Sequence, residues 1–82
     1  MLREGEISVL KRLKYFQSVV RLNSFSEVAE ENYISQSAIS QQIQALEREL
    51  GFKLLERRNR TFALTPAGEY FYQKSLVLTA GL

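Results

Sequence analysis

The feature that most constrains the fold is the spacing of apolar residues between Ser35 and Gly51. Each residue of an α-helix lies ~100° further round the axis, and on that geometry the apolar side chains of this stretch share one narrow arc. We therefore predict a helix over residues 36–50 that turns one face into a core. The arc consists of Ile39, Ile43, Leu46 and Leu50.

The opposite face of this predicted helix carries amide and hydroxyl groups and, over its first turns, no charge. Glutamine can form two hydrogen bonds with adenine and serine can bond most bases, so such a face suits the base edges of a DNA groove. Taken alone, the stretch fits an ordinary amphipathic helix rich in glutamine equally well. The candidate base-contacting residues are Gln36, Ser37, Ser40, Gln41 and Gln44.

Composition limits the chemistry that the chain can perform. Its 82 residues are enough for one small core,. The chain has no cysteine and no histidine, which argues against disulfides, thiolate or imidazole catalysis and most transition-metal sites,. We expect neither a metal nor a cofactor. Because no apolar run is long enough to cross a bilayer and no export signal is recognisable, we expect a cytoplasmic protein that does not associate with membranes.

Two further helices are predicted before the helix described above. Apolar residues follow helical spacing over residues 9–22, and a short helix over residues 27–32 is expected to begin after an N-cap at Ser26,. Ser35 is the expected cap of the next helix. A short helix, a turn and a longer helix form the helix-turn-helix arrangement. Residues 1–9 are predicted to be a loose leader or part of an extended first helix.

Residues 53–64 predict a small β-hairpin, or wing, because two short apolar-containing stretches flank a polar tip,. The arginines near this tip repel one another unless anions neutralise them. A solvated tip is the alternative for a lone arginine cluster, but a neighbouring helix suited to base contacts favours binding to phosphates or the minor groove. The candidate contacts to the DNA backbone are Ser35, Arg57, Arg58 and Arg60.

The last helix is predicted to begin at Thr65-Pro66, where threonine caps and proline occupies the first helical position, and to run to about residue 80,. Its apolar residues lie on more than one side, and one small domain cannot bury them all. We expect a second chain or a further domain to cover the remainder. The candidate interface residues are Tyr70, Phe71, Lys74, Leu76 and Leu78.

Characteristic motifs stand in order along the chain: Leu13-Lys14-Tyr15-Phe16, Asn23-Ser24-Phe25-Ser26, Ile34-Ser35-Gln36-Ser37-Ala38-Ile39-Ser40, Glu49-Leu50-Gly51 and Leu64-Thr65-Pro66-Ala67-Gly68. Together they resemble the N-terminal domain of LysR-type transcriptional regulators, from about Leu10 to the end. The resemblance implies a mainly α fold, in which a winged helix-turn-helix with a three-helix core and a two-stranded wing precedes a long linker helix.

The resemblance also implies a function and a division of the chain. It assigns residues 10–64 to a DNA-binding domain and residues 65–82 to a dimerising linker helix, after a leader of residues 1–9. The partners it implies are double-stranded operator DNA and a second copy of the chain, with tetramers in a full-length bacterial parent. An effector-binding domain for a small molecule would follow. The family usually has arginine at the position of Gln41, so a different operator preference is expected here,.

DNA binding has two alternatives. The first is a winged-helix module that binds only protein partners. The second is a small enzyme, which the sequence disfavours because it has no glycine-rich phosphate loop and because Glu47 and Glu49 are expected on a solvated face,.

Overall fold

The computed structural model describes the backbone of residues 4–81 and the side chains of residues 8–81. Within these described residues the chain forms four helices and one antiparallel hairpin, and none of these helices has the length and apolar character to cross a membrane. The mainly α winged helix-turn-helix predicted from the sequence is confirmed. The elements are α1 (Glu4–Leu22), α2 (Phe25–Asn32), α3 (Gln36–Leu50), β1 (Leu55–Arg58), β2 (Thr61–Leu64) and α4 (Pro66–Thr79).

The beginning of the chain is more helical than a loose leader. Helix α1 already includes Glu4, so residues 4–9 follow the second of the two alternatives, an extended first helix. Residues 1–3 of the predicted leader lie outside the described residues.

Helix α2 begins two residues earlier than predicted. Its N-cap is Ser24, whose extended backbone precedes the helix and whose Oγ accepts a hydrogen bond from the Glu27 amide at 3.0 Å. The expected cap, Ser26, lies inside the first turn. Both serines fit a capping pattern locally, but the turn at Asn23, with φ of 52°, is complete before Ser24 and leaves that residue in the cap position,.

The predicted caps of α3 and α4 are confirmed. Ser35 Oγ accepts from the Ala38 amide at 3.0 Å, and Thr65 Oγ1 accepts from the Gly68 amide at 2.8 Å. Gly51 ends α3 with φ of 82°, a left-handed conformation that favours glycine,.

The core lies between α1, α2 and α3 and extends under the hairpin. The predicted apolar arc of α3 faces this core, with Ile39, Ile43 and Leu46 buried and Leu50 half-buried. The largest apolar side chains that are fully buried come from α1, α2, α3 and the segment before the hairpin, and they are Phe16, Val19, Val28, Ile39, Ile43, Leu46 and Leu54.

A buried carboxylate joins α3 to the hairpin. Glu47 is only 8% exposed, and its Oε2 accepts hydrogen bonds from the amides of Leu54 at 2.7 Å and Leu55 at 3.2 Å. The expectation that Glu47 lies on a solvated face is therefore wrong. Helical spacing alone placed it beside the polar face, but the chain that follows Gly51 folds back over it and supplies two donors.

Helix α4 is anchored at its N-terminus to the same segment. The Thr65 amide donates to the Leu54 carbonyl at 3.0 Å, and Thr65 Oγ1 donates to the Lys53 carbonyl at 2.6 Å. Gly68 of α4 lies against the backbone of Leu54, so closely that a Cβ on Gly68 would lie 2.1 Å from the Leu54 carbonyl oxygen. Further along, Phe71 and Tyr72 pack on Phe16, with ring centroids 5.9 and 6.1 Å apart.

Candidate nucleic-acid interface

The polar face of α3 is open to solvent. Of the predicted base-contacting residues, Gln36, Ser37, Gln41 and Gln44 are exposed and Ser40 is half-buried. Helix α3 presents these groups together because its apolar arc is held in the core, which fixes the rotation of the helix about its axis. These side chains are uncharged, and their amides and hydroxyls can both donate and accept hydrogen bonds.

The hairpin lies beside the first half of α3. Strands β1 and β2 pair in an antiparallel register that sets Arg57 opposite Phe62 and Arg58 opposite Thr61. Arg60 lies in the tight turn with φ of 58°. Arg58 extends into solvent, where its guanidinium lies 3.3 Å from the carboxylate of Glu56. That pair is exposed, so it contributes little to stability and leaves the arginine available to an anion.

Arg57 has a different environment from the other wing arginines. Its guanidinium carbon lies 4.3 Å from the centroid of the Phe25 ring, and one of its nitrogens donates a hydrogen bond to Ser40 Oγ. Phe25 in turn packs edge-on against Phe62 of β2 at 5.1 Å. Arg57 therefore links the wing to α3 through a cation–π contact and a hydrogen bond.

This arrangement assigns roles that the sequence did not reveal. The whole of α3 lies between Phe25 and the two strands that carry Arg57 and Phe62, so no local spacing relates them. Ser40, predicted to contact bases, already has a partner in Arg57. Ser35, predicted to contact the DNA backbone, uses its hydroxyl to cap α3, although its side chain is exposed.

The wing, the start of α2 and the polar face of α3 enclose a groove of about 740 Å³. Three arginines supply positive charge to it, and the N-terminus of α3 adds the positive end of a helix dipole. Gln41 lies outside this groove on the exposed side of α3. The side chains that line the groove come from Asn23, Ser24, Phe25, Ser26, Gln36, Ser37, Ser40, Gln44, Arg57, Arg58, Arg60, Thr61 and Phe62.

The predicted interface residues of α4 do not all lie on one face. Tyr70 and Leu78 are 67% and 77% exposed, and Lys74 Nζ lies 5.4 Å above the Tyr70 ring. Val77, which the sequence did not single out, is 75% exposed. These four residues follow i, i+4, i+7 and i+8 spacing, so they form one stripe, which we call the α4 stripe.

The other two predicted residues lie off the α4 stripe. Leu76 is 39% exposed. Phe71 is half-buried and packs on Phe16 and Phe52 of its own chain, with ring centroids 5.9 and 6.2 Å apart. Its ring is therefore largely committed to the core of its own chain.

Comparison with known proteins identifies relatives of this arrangement. A sequence profile described as "Bacterial regulatory helix-turn-helix protein, lysR family" matches residues 10–69. The chain is 44% identical over 73 residues to the HTH-type transcriptional regulator BenM of Acinetobacter baylyi, a match covering 89% of this chain and 24% of BenM. It is 42% identical over 71 residues to the regulator TfdT of Cupriavidus pinatubonensis, covering 87% of this chain and 31% of TfdT. The chain thus spans less than a third of the length of these relatives.

Solved structures of relatives share the fold. The structure of BenM_DBD in complex with catB site 1 DNA matches with a TM-score of 0.80 and 44% identity, covering 88% of this chain and 77% of that chain. Full-length CbnR complexed with its target DNA matches with a TM-score of 0.73 and 38% identity, covering 87% of this chain and 25% of that chain. Both relatives were crystallised with DNA bound.

Proposed function

The chain belongs to the lysR family of bacterial regulatory helix-turn-helix proteins, and from that membership we propose that it binds double-stranded DNA sequence-specifically as part of a transcriptional regulator. Helix α3 enters the major groove, and the wing contacts phosphates or the adjacent minor groove. The DNA complexes of BenM_DBD and CbnR support this proposal.

The observation that carries the proposal is the open, uncharged face of α3 beside the arginines of the wing. Gln36, Ser37, Gln41 and Gln44 are exposed with their amides and hydroxyls. The arginines border the same groove, so base reading and phosphate neutralisation can occur in one docking geometry. An acidic substrate or an apolar ligand would not need a row of neutral amides.

The contacts divide into base reading and backbone positioning. A glutamine at position 41 favours adenine, whose N6 and N7 it can bond together, over guanine. Arg58, whose ion pair with Glu56 is exposed to solvent, and Arg60 can reach phosphates or a narrow minor groove,. Arg57 fixes the distance between the wing and α3 through Phe25 and Ser40, and it can still present its outer nitrogens to DNA.

The assembly and its surroundings form part of the same proposal. The α4 stripe pairs two copies so that their α3 helices reach successive major grooves, roughly 34 Å apart. Residues 10–64 then bind DNA and residues 65–82 link the dimer. We place the protein in the cytoplasm and assign it no enzymatic activity, in keeping with the regulators that it matches.

The test is a selection of bound duplexes from a random pool, followed by titrations of the selected duplex at several salt concentrations. We expect one enriched half-site and an affinity that falls with salt at a slope of about 0.9 per phosphate neutralised. Gln41→Ala should cost about 1–3 kcal/mol and relax the preference at one base pair. Arg60→Ala should weaken all duplexes alike and lower the slope by about 1. Glu31→Ala, on the exposed side of α2, is the control.

A protein-binding module is the second candidate, and the exposed α4 stripe is the observation in its favour. If this candidate is right, Gln41→Ala and Arg60→Ala leave dimerisation and the binding of protein partners unchanged. A wild-type chain that dimerises but binds no duplex at low salt would reject DNA binding in favour of this candidate.

A further inference from the structure

A single amide from α1 is hydrogen-bonded to two hydroxyls on the inner face of α4. Gln17 Nε2 lies 3.0 Å from Ser75 Oγ and 3.2 Å from Thr79 Oγ1. Ser75 is 1% exposed, whereas Gln17 and Thr79 are half-buried. The two hydroxyls are one helical turn apart on α4, so one amide group can reach both.

The direction of these hydrogen bonds follows from the proton count. Ser75 Oγ donates its only proton to the Tyr72 carbonyl at 2.8 Å, and Thr79 Oγ1 donates its own to the Ser75 carbonyl at 3.0 Å. Both hydroxyls can therefore act only as acceptors toward α1. Gln17 has two N–H groups, which match these two acceptors in number.

These bonds hold the part of α4 that its N-terminal anchor does not reach. Thr65 ties the start of α4 to the segment before the wing, and the rings of Phe71 and Tyr72 pack near its middle. Apolar contacts are not directional, so ring packing alone allows α4 to tilt or rotate. The Gln17 amide restricts both movements in the half of the helix that also presents Val77 and Leu78.

We infer that Gln17 is a positioning residue that sets which spacing of DNA half-sites the dimer accepts. The inference rests on the proposed DNA binding through paired α4 helices. With a rise of 1.5 Å per residue, α4 is about 21 Å long, so a tilt of ~10° displaces its far end by ~3.5 Å. That displacement is close to the ~3.4 Å rise of one base pair. Fixing the angle of α4 thus fixes the separation of the two α3 helices.

The first arm of the test measures spacing preference. A selected half-site is placed twice in a duplex series whose central spacer changes by single base pairs, and the affinities of wild type and Gln17→Met are compared. Methionine is similar in length to glutamine but cannot donate. Each hydrogen bond contributes about fivefold to the affinity ratio between the best and next-best spacing. Gln17→Met loses both bonds, so we expect that ratio to fall by roughly 25-fold. Affinity for a single half-site should stay within about twofold.

Two further variants keep this arm decisive. Ser75→Ala removes one acceptor and leaves the bond to Thr79, so we expect the affinity ratio between spacings to fall by only about fivefold. This variant tests the inference even if Gln17→Met does not fold. Glu31→Met makes a similar exchange of side chains on the exposed side of α2, and it should keep the wild-type spacing profile.

The second arm measures the position of α4 without DNA. Because the chain has no cysteine, spin labels can be placed at the exposed positions Lys11 of α1 and Gln73 of α4 after cysteine substitution. Labelled chain is diluted into unlabelled chain so that distances within one protomer dominate. We expect the distance distribution to widen in Gln17→Met and to remain narrow in Glu31→Met.

The outcomes separate the inference from the proposed function. An unchanged distance distribution in Gln17→Met overturns the inference, and so does a widened distribution with an unchanged spacing profile. If wild type binds no duplex, the proposed DNA binding fails. A widened distribution would in that case still support Gln17 as the residue that positions α4.

Discussion

Gly68→Ala is expected to destabilise the protein even though the same exchange stabilises most helices. Alanine is favoured over glycine inside a helix by about 1 kcal/mol. At this position, however, the added Cβ would meet the Leu54 carbonyl oxygen at 2.1 Å and the Leu54 carbonyl carbon at 2.8 Å. Both atoms belong to the backbone, so no side chain can rotate away, and α4 has to move outward by about 1 Å.

The movement is costly because the same carbonyl helps to anchor α4. The Thr65 amide bonds Leu54 O at 3.0 Å, and Thr65 Oγ1 bonds Lys53 O at 2.6 Å. Overpacking costs about 1–3 kcal/mol, and weakening these bonds adds about 1 kcal/mol each. After subtraction of the propensity gain, we expect a net loss of about 2–4 kcal/mol in the free energy of unfolding. For a domain of this size that corresponds to a melting temperature lower by roughly 8–30 °C.

Urea denaturation of wild type, Gly68→Ala and Gly81→Ala measures this effect at one protein concentration. Nothing lies within 4 Å of a Cβ at Gly81 and its φ is not positive, so Gly81→Ala should be neutral or stabilising by up to about 1 kcal/mol. A Gly68→Ala protein as stable as wild type would refute the argument, because it would show that α4 can leave Leu54 without loss.

Three other predictions concern the buried carboxylate, the wing and the α4 stripe. Glu47→Ala leaves the amides of Leu54 and Leu55 unpaired and should lower the free energy of unfolding by about 2–5 kcal/mol. Glu47→Gln keeps an acceptor oxygen and should lower the free energy of unfolding by clearly less. Equal losses of stability in urea titrations of the two variants would contradict this role. Phe25→Leu removes the ring beneath Arg57 and should weaken DNA binding by up to about 1 kcal/mol, measured by duplex titration; an unchanged affinity would show that Arg57 needs no such support. Val77→Lys combined with Leu78→Lys should give monomers in sedimentation, and dimers that persist in this variant would remove the α4 stripe from the interface.

The candidate site was largely accessible from local sequence signals. Periodicity placed Ile39, Ile43 and Leu46 in the core, and that placement automatically turned Gln41 and Gln44 outward. Caps at Ser35 and Thr65 are also local, because a capping hydroxyl and the amide it accepts from are three residues apart. Each of these predictions depends on residues within one element, and each is confirmed by the structure.

Other features required contacts between distant parts of the chain. The sequence placed Arg57 in the wing, but only the tertiary fold brings it to Phe25 and Ser40. Local capping preference could not choose between Ser24 and Ser26 for α2. Helical spacing predicts that Glu47 is solvated, and only the tertiary fold brings the segment after Gly51 over its carboxylate.

Helix α4 shows most clearly where sequence information ends. The Thr65-Pro66 pair predicts where it begins, and its many apolar residues predict more apolar surface than one small domain can bury. The division of that surface was decided by the fixed positions of Phe16 and Leu54, which draw Phe71 inward and leave Val77 outside. Helical periodicity relates residues within a helix to one another, but the rotation of that helix against its neighbours is set by packing and hydrogen bonds across the fold.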